Sequence, residues 1–352
     1  MAFPAYTAKR NCSHTRTLRI HCALCWEGRL IPCFLPGALL VSKTENWDVV
    51  VVGAGPAGLS AALVLGRARR KVLICDKGTP RNWASKRMHG FITRDGIDPR
   101  EFRSLAHAEL ARYPQVKFRA QVVVGATQLK SGAGFKVTLA RGSPVLTRKL
   151  LLATGVLDRL PSVPGIEKFF GVSAFQCPYC HGWEFRDRAI AVYGRGKKGL
   201  EMARAMTAWT PDIVLCTDGG ALSSAAQRQL QRNDIQVRTA PVAKLEGRHG
   251  ELKQIVFRDG DTLACDALFF DTSSIEQSVL SRAIGCQYGS HGGIECGQYS
   301  ATSVPGVYAA GNITRDVQLA IVAAAEGTRA AFGINRALTR EDFANKLHRS
   351  TA

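Results

Sequence analysis

The chain has 352 residues, of which 46% are hydrophobic and 21% charged, and its 47 Lys and Arg against 28 Asp and Glu give a net charge of +19. This length allows two domains, because single cores usually stop growing near roughly 250–300 residues. The composition excludes wholesale disorder, and no Gly-X-Y period or heptad repeat indicates a fibre. The longest apolar stretch near the N-terminus, residues 30–41, contains two prolines and is shorter than the roughly 20 residues that cross a bilayer. We therefore expect a two-domain globular protein with a basic surface and no membrane partner.

Residues 1–46 carry four cysteines but neither the period of a strand nor that of a helix. We predict a disordered or mispredicted extension there, and a basic targeting segment is one alternative. A metal-binding arm that uses Cys22 and Cys25 is another, but it needs two further ligands and the segment has no recognisable zinc spacing. We therefore predict no metal site and expect organised structure from Trp47 onward.

A glycine-rich turn follows the first predicted strand. Residues 48–52 have the apolar, β-branched character of a buried parallel strand and lead into Gly53, Gly55 and Gly58 and an Ala/Leu-rich helix. In this context the first glycine permits a tight turn, the second lets the backbone approach a pyrophosphate, and the third lets helix and strand pack closely. The next strand ends at Asp76, whose carboxylate suits a hydrogen bond to a ribose hydroxyl. The pattern predicts a dinucleotide site.

The same pattern returns 141 residues later, where a strand over residues 190–193 precedes Gly194, Gly196 and Gly199. Two nucleotide-binding folds, and therefore two dinucleotides, are expected. At this offset the ribose position falls on Thr217, with Asp218 one residue later. No Arg stands there, and a neighbouring carboxylate would repel a 2′-phosphate.

Cys177 and Cys180 form a C-x-x-C motif between the two glycine turns. This spacing brings two sulfurs close enough for a small-ring disulfide, and such pairs often have a lowered thiolate pKa. A half zinc site completed by Cys22 and Cys25 is the structural alternative. The tetrapeptide also occurs in glutaredoxins, but those are small domains without two nucleotide folds. A dithiol between two dinucleotide sites indicates electron flow between nicotinamide, flavin and disulfide.

His181 follows the second cysteine directly. It could be a satisfied polar residue with no chemical role. Beside a flavin and a thiol, however, the pKa range of an imidazole suits proton transfer, and we favour that role.

Together these residues resemble the thioredoxin-reductase-like flavoproteins over residues 47–338. Five blocks carry the resemblance, at residues 53–58, 153–155, 177–180, 194–199 and 302–312. The sequence His-Gly-Trp-Glu from His181 to Glu184 is similar to the branch of small-molecule dithiol oxidases that close dithiols such as gliotoxin. Reductases proper usually carry Asp where His181 stands.

The resemblance implies an α/β fold with two Rossmann-like dinucleotide-binding domains. An FAD-binding domain would comprise residues 47–164 and 273–338, with an NAD(P)-binding-like domain that carries the C-x-x-C inserted at 165–272 and a C-terminal tail at 339–352. The residue pattern itself predicts an Ala-rich helix from Gln318 to Leu338, in which Gly327 is tolerated.

The resemblance also implies cofactor contacts. FAD would be contacted by Ala153, Thr154, Gly155, Gly311, Asn312 and Gln318. Asn312 replaces the family's Asp, and the family's Arg-Gln-Ala reads Gln-Leu-Ala from Gln318. The reductases' His-Arg-Arg clamp for the NADPH phosphate is absent at residues 217–219, so NADPH, NADH or neither remains open.

The predicted function is that of an FAD-dependent dithiol/disulfide oxidoreductase that acts with a thioredoxin-like protein or a small-molecule dithiol or disulfide. The resemblance makes Cys180 the flavin-proximal thiol, Cys177 the interchange thiol and His181 the acid/base. Alternatives are an oxidase that uses O₂ as acceptor and a non-catalytic flavin-binding sensor. The basic residues are scattered without interleaved aromatics, so no nucleic-acid partner is predicted. Five dispersed cysteines, expected to be buried free thiols, indicate a reducing cytoplasm, and the resemblance implies a homodimer.

Overall fold

Strands and helices alternate in two stretches, over residues 46–119 and 174–238, and runs of consecutive strands follow each stretch. The computed structural model describes residues 45–130 and 132–350, with side chains up to residue 345. The predictions for the N-terminal extension, including those for Cys22 and Cys25, fall on residues 1–44, which are outside the described residues. The strands are β1 (Asn46–Val52), β2 (Val72–Cys75), β3 (Val116–Arg119), β4 (Val123–Gln128), β5 (Phe135–Leu139), β6 (Val145–Leu152), β7 (Val156–Asp158), β8 (Ala174–Phe175), β9 (Ile190–Tyr193), β10 (Ile213–Cys216), β11 (Gln236–Arg238), β12 (Val242–Arg248), β13 (Glu251–Phe257), β14 (Thr262–Ala264), β15 (Ala267–Phe270), β16 (Ser274–Glu276) and β17 (Val307–Ala309). The α-helices are α1 (Pro56–Arg67), α2 (Pro99–Leu110), α3 (Pro178–His181), α4 (Gly196–Met206), α5 (Ser224–Gln231), α6 (Leu280–Ile284) and α7 (Ala320–Ser350).

The first sheet has the strand order β3-β2-β1-β6-β5-β4, and β17 pairs with the end of β6. The strands β1, β2, β3, β6 and β17 run parallel, whereas β4 and β5 join β6 in antiparallel pairs. The central strands are buried on both faces where they end, which is why β1, β2 and β6 close with apolar runs at residues 49–52, 72–75 and 150–152. The carboxyl ends of these parallel strands therefore meet at one edge, where the Gly53 turn begins.

The second sheet has the order β11-β10-β9-β15-β8 and is parallel throughout. The units β1-α1-β2 and β9-α4-β10 correspond with the predicted offset, because their strands end at Val52 and Cys75 in one unit and at Tyr193 and Cys216 in the other. A three-stranded antiparallel sheet, β12-β13-β14, shares a hydrophobic core with the second sheet, and we call this core the second core. The α/β class with two Rossmann-like units is confirmed.

The chain passes between the two sheets twice, through β7 and β16, and these two short strands pair antiparallel. Strands within residues 46–152 and 307–309 form the first sheet. Strands within residues 174–270 form the second sheet and the three-stranded sheet. The predicted boundaries at residues 164 and 273 stay a prediction, and this distribution of strands supports it.

The C-terminal helix differs from its predicted extent. Instead of spanning Gln318 to Leu338 with a tail beyond, α7 begins at Ala320 and continues to Ser350. Glu341 and Asp342 form ion pairs with Arg148 and Lys149 of β6 and with Arg70 in the loop before β2, so the turns just after Leu338 remain packed. Gly327 has a stronger role than toleration, because a Cβ there would lie 2.0 Å from the carbonyl oxygen of Ala57 on α1.

None of the helices within residues 45–130 and 132–350 is both long enough and apolar enough to cross a membrane.

Candidate active site

The first glycine turn has the geometry that its spacing predicts. Gly53 has φ of 108°, and a Cβ on it would lie 2.3 Å from the carbonyl oxygen of Ala153. A Cβ on Gly58 would lie 1.9 Å from the carbonyl oxygen of Gly53, so the third glycine lets α1 approach the strand. Around Gly55, by contrast, no atom lies within 4 Å of the Cβ position. This open space at the start of a helix is where an anion can approach the backbone.

Most predicted site residues meet at one cavity of about 690 Å³, a volume typical of small-molecule sites. Those that line it are Gly53, Gly55, Asp76, Ala153, Thr154, Gly155, Cys177, Cys180, His181, Gly311, Asn312 and Gln318. Gly58 is not part of the lining, which agrees with its packing role. The first nucleotide site and the redox pair therefore share one cavity.

The cavity wall also contains polar atoms that need partners. The Thr154 hydroxyl and the Gln121 side-chain oxygen are buried without hydrogen bonds, and both residues line the cavity. Buried polar atoms are nearly always paired, so these two indicate a polar ligand. Together with the open backbone at Gly55, they fit an FAD.

Asp76 organises the turn as well as lining the cavity. Its Oδ1 accepts a hydrogen bond from the Ala54 amide at 3.1 Å, and its Oδ2 accepts one from the Gly78 amide at 3.0 Å. Arg103 of α2 forms an ion pair with the same carboxylate at 2.7 Å. The carboxylate retains lone pairs for a ribose hydroxyl.

The Gly311–Asn312 segment is held by a buried acid. Gly311 has φ of 80°, and its amide donates a hydrogen bond of 2.5 Å to Glu326 of α7. Thr314 donates to the same carboxylate at 3.2 Å. Burial raises the pKa of Glu326. This contact fixes the loop in front of α7, at the edge of the cavity.

Cys177 and Cys180 form a disulfide. Sulfurs that are bonded to each other in this way are not available as thiolate ligands of a zinc ion. Cys177 precedes α3, and its Sγ accepts a hydrogen bond of 3.1 Å from the amide of Cys180. After reduction, a backbone donor in this position would stabilise a thiolate on Cys177.

His181 lies in a largely apolar environment on the cavity wall. Its ring stacks on Phe175 with centroids 4.1 Å apart and meets His89 edge to face at 6.1 Å. Burial lowers the pKa of His181 to about 4, and positive charge on His89 acts in the same direction. The imidazole is therefore neutral at pH 7. Its Nε2 is 3.0 Å from the hydroxyl of Ser85, whereas its Nδ1 is buried without a partner.

A buried ion pair connects the cavity wall to the redox segment. Arg81 binds Asp158 through two hydrogen bonds of 2.5 and 2.8 Å, and the Asp158 side chain is only 3% exposed. Gln176, which precedes Cys177, donates to Asp158 at 3.0 Å, and Gln318 accepts a hydrogen bond from Arg81. Gln318 thus contacts the residue that holds the segment before the disulfide.

The second glycine turn repeats the packing of the first. A Cβ on Gly199 would lie 2.4 Å from the carbonyl oxygen of Gly194, and one on Gly194 would lie 2.7 Å from the Cα of Gly199. Gly196 has no atom within 4 Å of its Cβ position. None of these three glycines lines the 690 Å³ cavity.

At the ribose position of the second turn, Thr217 is fully buried and its hydroxyl has no partner. The side chain of Asp218, the next residue, is 18% exposed. Its carboxylate accepts hydrogen bonds from the Tyr193 hydroxyl at 2.8 Å, the Arg195 guanidinium at 2.7 Å and the Val242 amide at 2.9 Å. Thr217 stays a prediction as a cofactor contact, and the geometry directs attention to Asp218.

Comparison with known proteins agrees with this arrangement. Residues 47–327 match the family model of pyridine nucleotide-disulphide oxidoreductases. The chain belongs to this family. It is 31% identical to thioredoxin reductase tcpT of Claviceps purpurea over 77% of this chain and 88% of that protein. A probable thioredoxin reductase of Arthroderma benhamiae is 30% identical over 67% of this chain, which spans 62% of that relative's length. The crystal structure of a putative thioredoxin reductase from Bacillus anthracis is 34% identical, with a TM-score of 0.81 over 84% of this chain and 99% of the other.

The resemblance to thioredoxin-reductase-like proteins is therefore confirmed, and FAD and NAD(P)H are the cofactors of this pyridine nucleotide-disulphide oxidoreductase family. Of the five cysteines predicted to be buried thiols, Cys75, Cys216, Cys265 and Cys286 are free and buried, whereas Cys296 is free but half-buried.

The sequence alone did not identify six residues that the structure places in or beside the site. They are Arg81, Ser85, His89, Arg103, Gln121 and Glu326. Among them, His89 lies on the cavity wall and meets the ring of His181 edge to face. None of the six belongs to a motif of fixed spacing, so the charged or polar side chain itself was the only available signal.

Proposed function

We propose that the protein is an FAD-dependent dithiol/disulfide oxidoreductase that passes electrons between NAD(P)H, FAD and the Cys177–Cys180 pair, and from there to a protein or small-molecule disulfide. The observation that carries the proposal is the shared cavity, which is lined both by the disulfide and by the first glycine turn. Bound FAD would supply a two-electron acceptor and donor within that cavity.

The two cysteines have different roles in this proposal. When a substrate dithiol reacts, one of its thiolates attacks Cys177, forms a mixed disulfide and releases Cys180 as a thiolate. The second substrate thiol then displaces Cys177, so that the substrate leaves as a disulfide and two electrons remain on the protein pair. Reduction of a substrate disulfide runs through the same steps in reverse. The amide of Cys180 stabilises the Cys177 thiolate in both directions.

His181 is the proposed proton acceptor for the thiols. It is neutral before the reaction, and a negative charge that develops on a nearby sulfur raises the pKa of an imidazole. The ring can therefore accept the thiol proton as the thiolate forms and return it later.

Single Cys-to-Ser substitutions test these roles. Cys177→Ser and Cys180→Ser should each abolish disulfide turnover and retain bound flavin, because neither removes a part of the first glycine turn. Cys265→Ala, which changes a buried free cysteine of the second core, is the matched control and should keep turnover. Full turnover in either Ser variant would refute the assignment.

A dithiol oxidase that uses O₂ is the second candidate. Two observations favour it: the second glycine turn does not line the cavity, and Arg195 is paired with Asp218 instead of being free for a phosphate. In this direction two electrons from the substrate dithiol reach O₂, which takes up two protons and leaves as H₂O₂.

Anaerobic stopped-flow mixing of the flavin-loaded protein with NADH, NADPH and dithiothreitol separates the two directions. Flavin bleaching by a nicotinamide, followed by disulfide reduction, supports the reductase. Bleaching by dithiol without any response to either nicotinamide, followed by H₂O₂ release in air, supports the oxidase. A protein that turns over neither dithiol nor disulfide would be a flavin-binding sensor.

The proposed setting is a reducing cytoplasm, which the five free cysteines among the described residues favour. The homodimer is proposed from the family resemblance. The partner is a thioredoxin-like protein or a small dithiol or disulfide. Tyr179, which lies between the two cysteines, and Trp183, three residues after Cys180, are 77% and 64% exposed and offer an aromatic surface to either substrate.

A further inference from the structure

The hydrogen bonds around His181 determine which of its ring nitrogens carries the proton. Ser85 has one hydroxyl hydrogen but two neighbours, the backbone carbonyl oxygen of Arg87 at 2.9 Å and Nε2 of His181 at 3.0 Å. A carbonyl oxygen can only accept a hydrogen bond. If Ser85 donates to Arg87, His181 must donate its Nε2 hydrogen to the Ser85 oxygen.

The opposite assignment leaves a buried donor unpaired. If Ser85 donated to Nε2, the neutral ring would carry its proton on Nδ1, which is buried and has no partner. Unpaired buried N–H groups are rarer in proteins than unpaired acceptors. The first assignment satisfies every donor of the group, and only a lone pair on Nδ1 remains free.

We propose that Ser85 is a positioning residue that holds His181 as the Nε2–H tautomer and so leaves Nδ1 as the base that receives the thiol proton. The inference rests on the proposed dithiol/disulfide function. In the step concerned, the S–H bond of a thiol breaks and an Nδ1–H bond forms, with the charge of the imidazolium balanced by the thiolate. Ser85 takes no proton itself, and its hydroxyl is hydrogen-bonded to His181 and to the carbonyl of Arg87.

The titratable groups around His181 are few. His89 faces it from the loop after β2, and His89 has Asp95 within 3.5 Å and Glu184 within 3.4 Å. Phe175 covers one face of the ring and carries no charge. Among the described residues, His89 is the charged side chain that acts on the pKa of His181, and a hydrogen bond with the backbone of Arg87 acts in the opposite direction and raises it. Because imidazolium donates more strongly than neutral imidazole, loss of the Ser85 acceptor should lower the pKa of His181 further.

The tautomer can be measured without activity. Nitrogen-15 NMR of the full, flavin-loaded chain labelled at histidine distinguishes protonated from unprotonated ring nitrogens, and His181→Gln identifies which of the eight histidines gives the signals. We expect a protonated Nε2 and an unprotonated Nδ1 in the wild type at neutral pH. Ser85→Ala should raise the Nδ1–H fraction, and Ser85→Thr, which keeps the hydroxyl, should restore the wild-type spectrum.

The kinetic readout is the rate of flavin reduction by dithiothreitol as a function of pH. Ser85→Ala should slow this step by about tenfold, less than the roughly 10²–10⁴-fold contribution of a complete general base, and move its acid limb to lower pH. Ser223→Ala removes a serine hydroxyl that caps α5 in the second Rossmann-like unit and should change neither readout.

Two results would overturn the inference. One is a wild-type spectrum with the proton on Nδ1, and the other is a Ser85→Ala protein with the wild-type tautomer and pH profile. Failure of the proposed function would look different, because then no dithiol, disulfide or nicotinamide would change the oxidation state of the wild-type flavin, whatever the tautomer.

Discussion

At the scale of single residues, burial explains most of the unusual chemistry of His181. An exposed histidine titrates near pH 6.5, but burial against the stacked Phe175 ring removes the solvation that a cation needs, and positive charge on His89 repels a second cation. Together they lower the pKa of His181 to about 4. The folded protein therefore keeps this side chain neutral over a pH range in which the unfolded chain protonates it.

This difference predicts a pH-dependent stability. Between pH 6.5 and about 4 the unfolded chain binds one more proton at His181 than the folded chain, so the free energy of unfolding should fall as the pH falls through that window. The shift corresponds to an upper limit of roughly 3 kcal/mol. His181→Asn should flatten this part of the curve in urea unfolding at a series of pH values, whereas substitution of the exposed His249 by Asn should not. Parallel curves for wild type and His181→Asn would contradict the burial argument.

Fixed spacing was the signal that made single residues predictable from the sequence. The glycines at 53, 55 and 58 and the pair Cys177–Cys180 were identified because a turn or a disulfide requires a fixed separation. Ser85 and Glu326 act through partners 96 and 15 residues away, at His181 and Gly311. No local pattern encodes such contacts, which depend on how the loops fold around the cavity.

At the scale of elements, α7 connects the C-terminal part of the chain to the first sheet. Arg70 binds Asp342 at 2.6 Å, Arg148 binds Asp342 at 2.8 Å and Glu341 at 2.9 Å, and Lys149 also binds Glu341. The three basic side chains are half-buried or nearly buried, so the network is less screened than an ordinary surface pair.

Asp342→Asn should therefore destabilise the fold by about 0.5–1 kcal/mol at neutral pH and low salt. The hydrogen bond from Arg70 lowers the pKa of Asp342, so its contribution is present above the ordinary carboxyl pKa and is lost as the pH falls through the lowered value. The midpoint of urea unfolding measures the change, which should shrink at high salt. Glu201→Gln on α4 breaks an exposed pair of 3.6 Å with Lys197 and provides the comparison. An equal loss in both variants would remove the special role of the α7 network.

The end of α7 also shows a limit of prediction for elements. Residues 339–350 contain neither glycine nor proline, so no stop signal marks Leu338, where the resemblance to the family ended. The strands and helices around both glycine turns were predictable because a continuous apolar run, a turn and a helix follow one another there. Continuation of α7 depends on ion pairs with Arg70, Arg148 and Lys149, which come from distant strands and loops.

At the scale of the whole molecule, the two Rossmann-like units are unequal. The first opens on the cavity that contains the redox pair, whereas the three glycines of the second do not line it. The second turn nevertheless keeps an open Gly196 and close packing at Gly194 and Gly199. The second turn therefore keeps the backbone packing of the first, and we expect its choice of coenzyme to depend on the residues at the ribose position.

Asp218 should make this second unit prefer NADH to NADPH. Partial burial opposes ionisation, but hydrogen bonds from Tyr193, Val242 and Arg195 outweigh it and lower the pKa of Asp218, so the carboxylate is charged at neutral pH. A 2′-phosphate would meet this charge, and Arg195 is already engaged by it.

Asp218→Ser should release Arg195, whose side chain is 63% exposed, and shift the ratio of NADPH to NADH affinity by about tenfold or more toward NADPH, which corresponds to about 1.4 kcal/mol. Dissociation constants from protein fluorescence give this ratio independently of turnover in either direction of electron flow. Asp234→Asn, at an exposed turn after α5, should leave the ratio unchanged. If Asp218→Ser weakened or strengthened both coenzymes equally, the carboxylate would not be the group that reads the ribose, and the preference would have to come from elsewhere in the second turn.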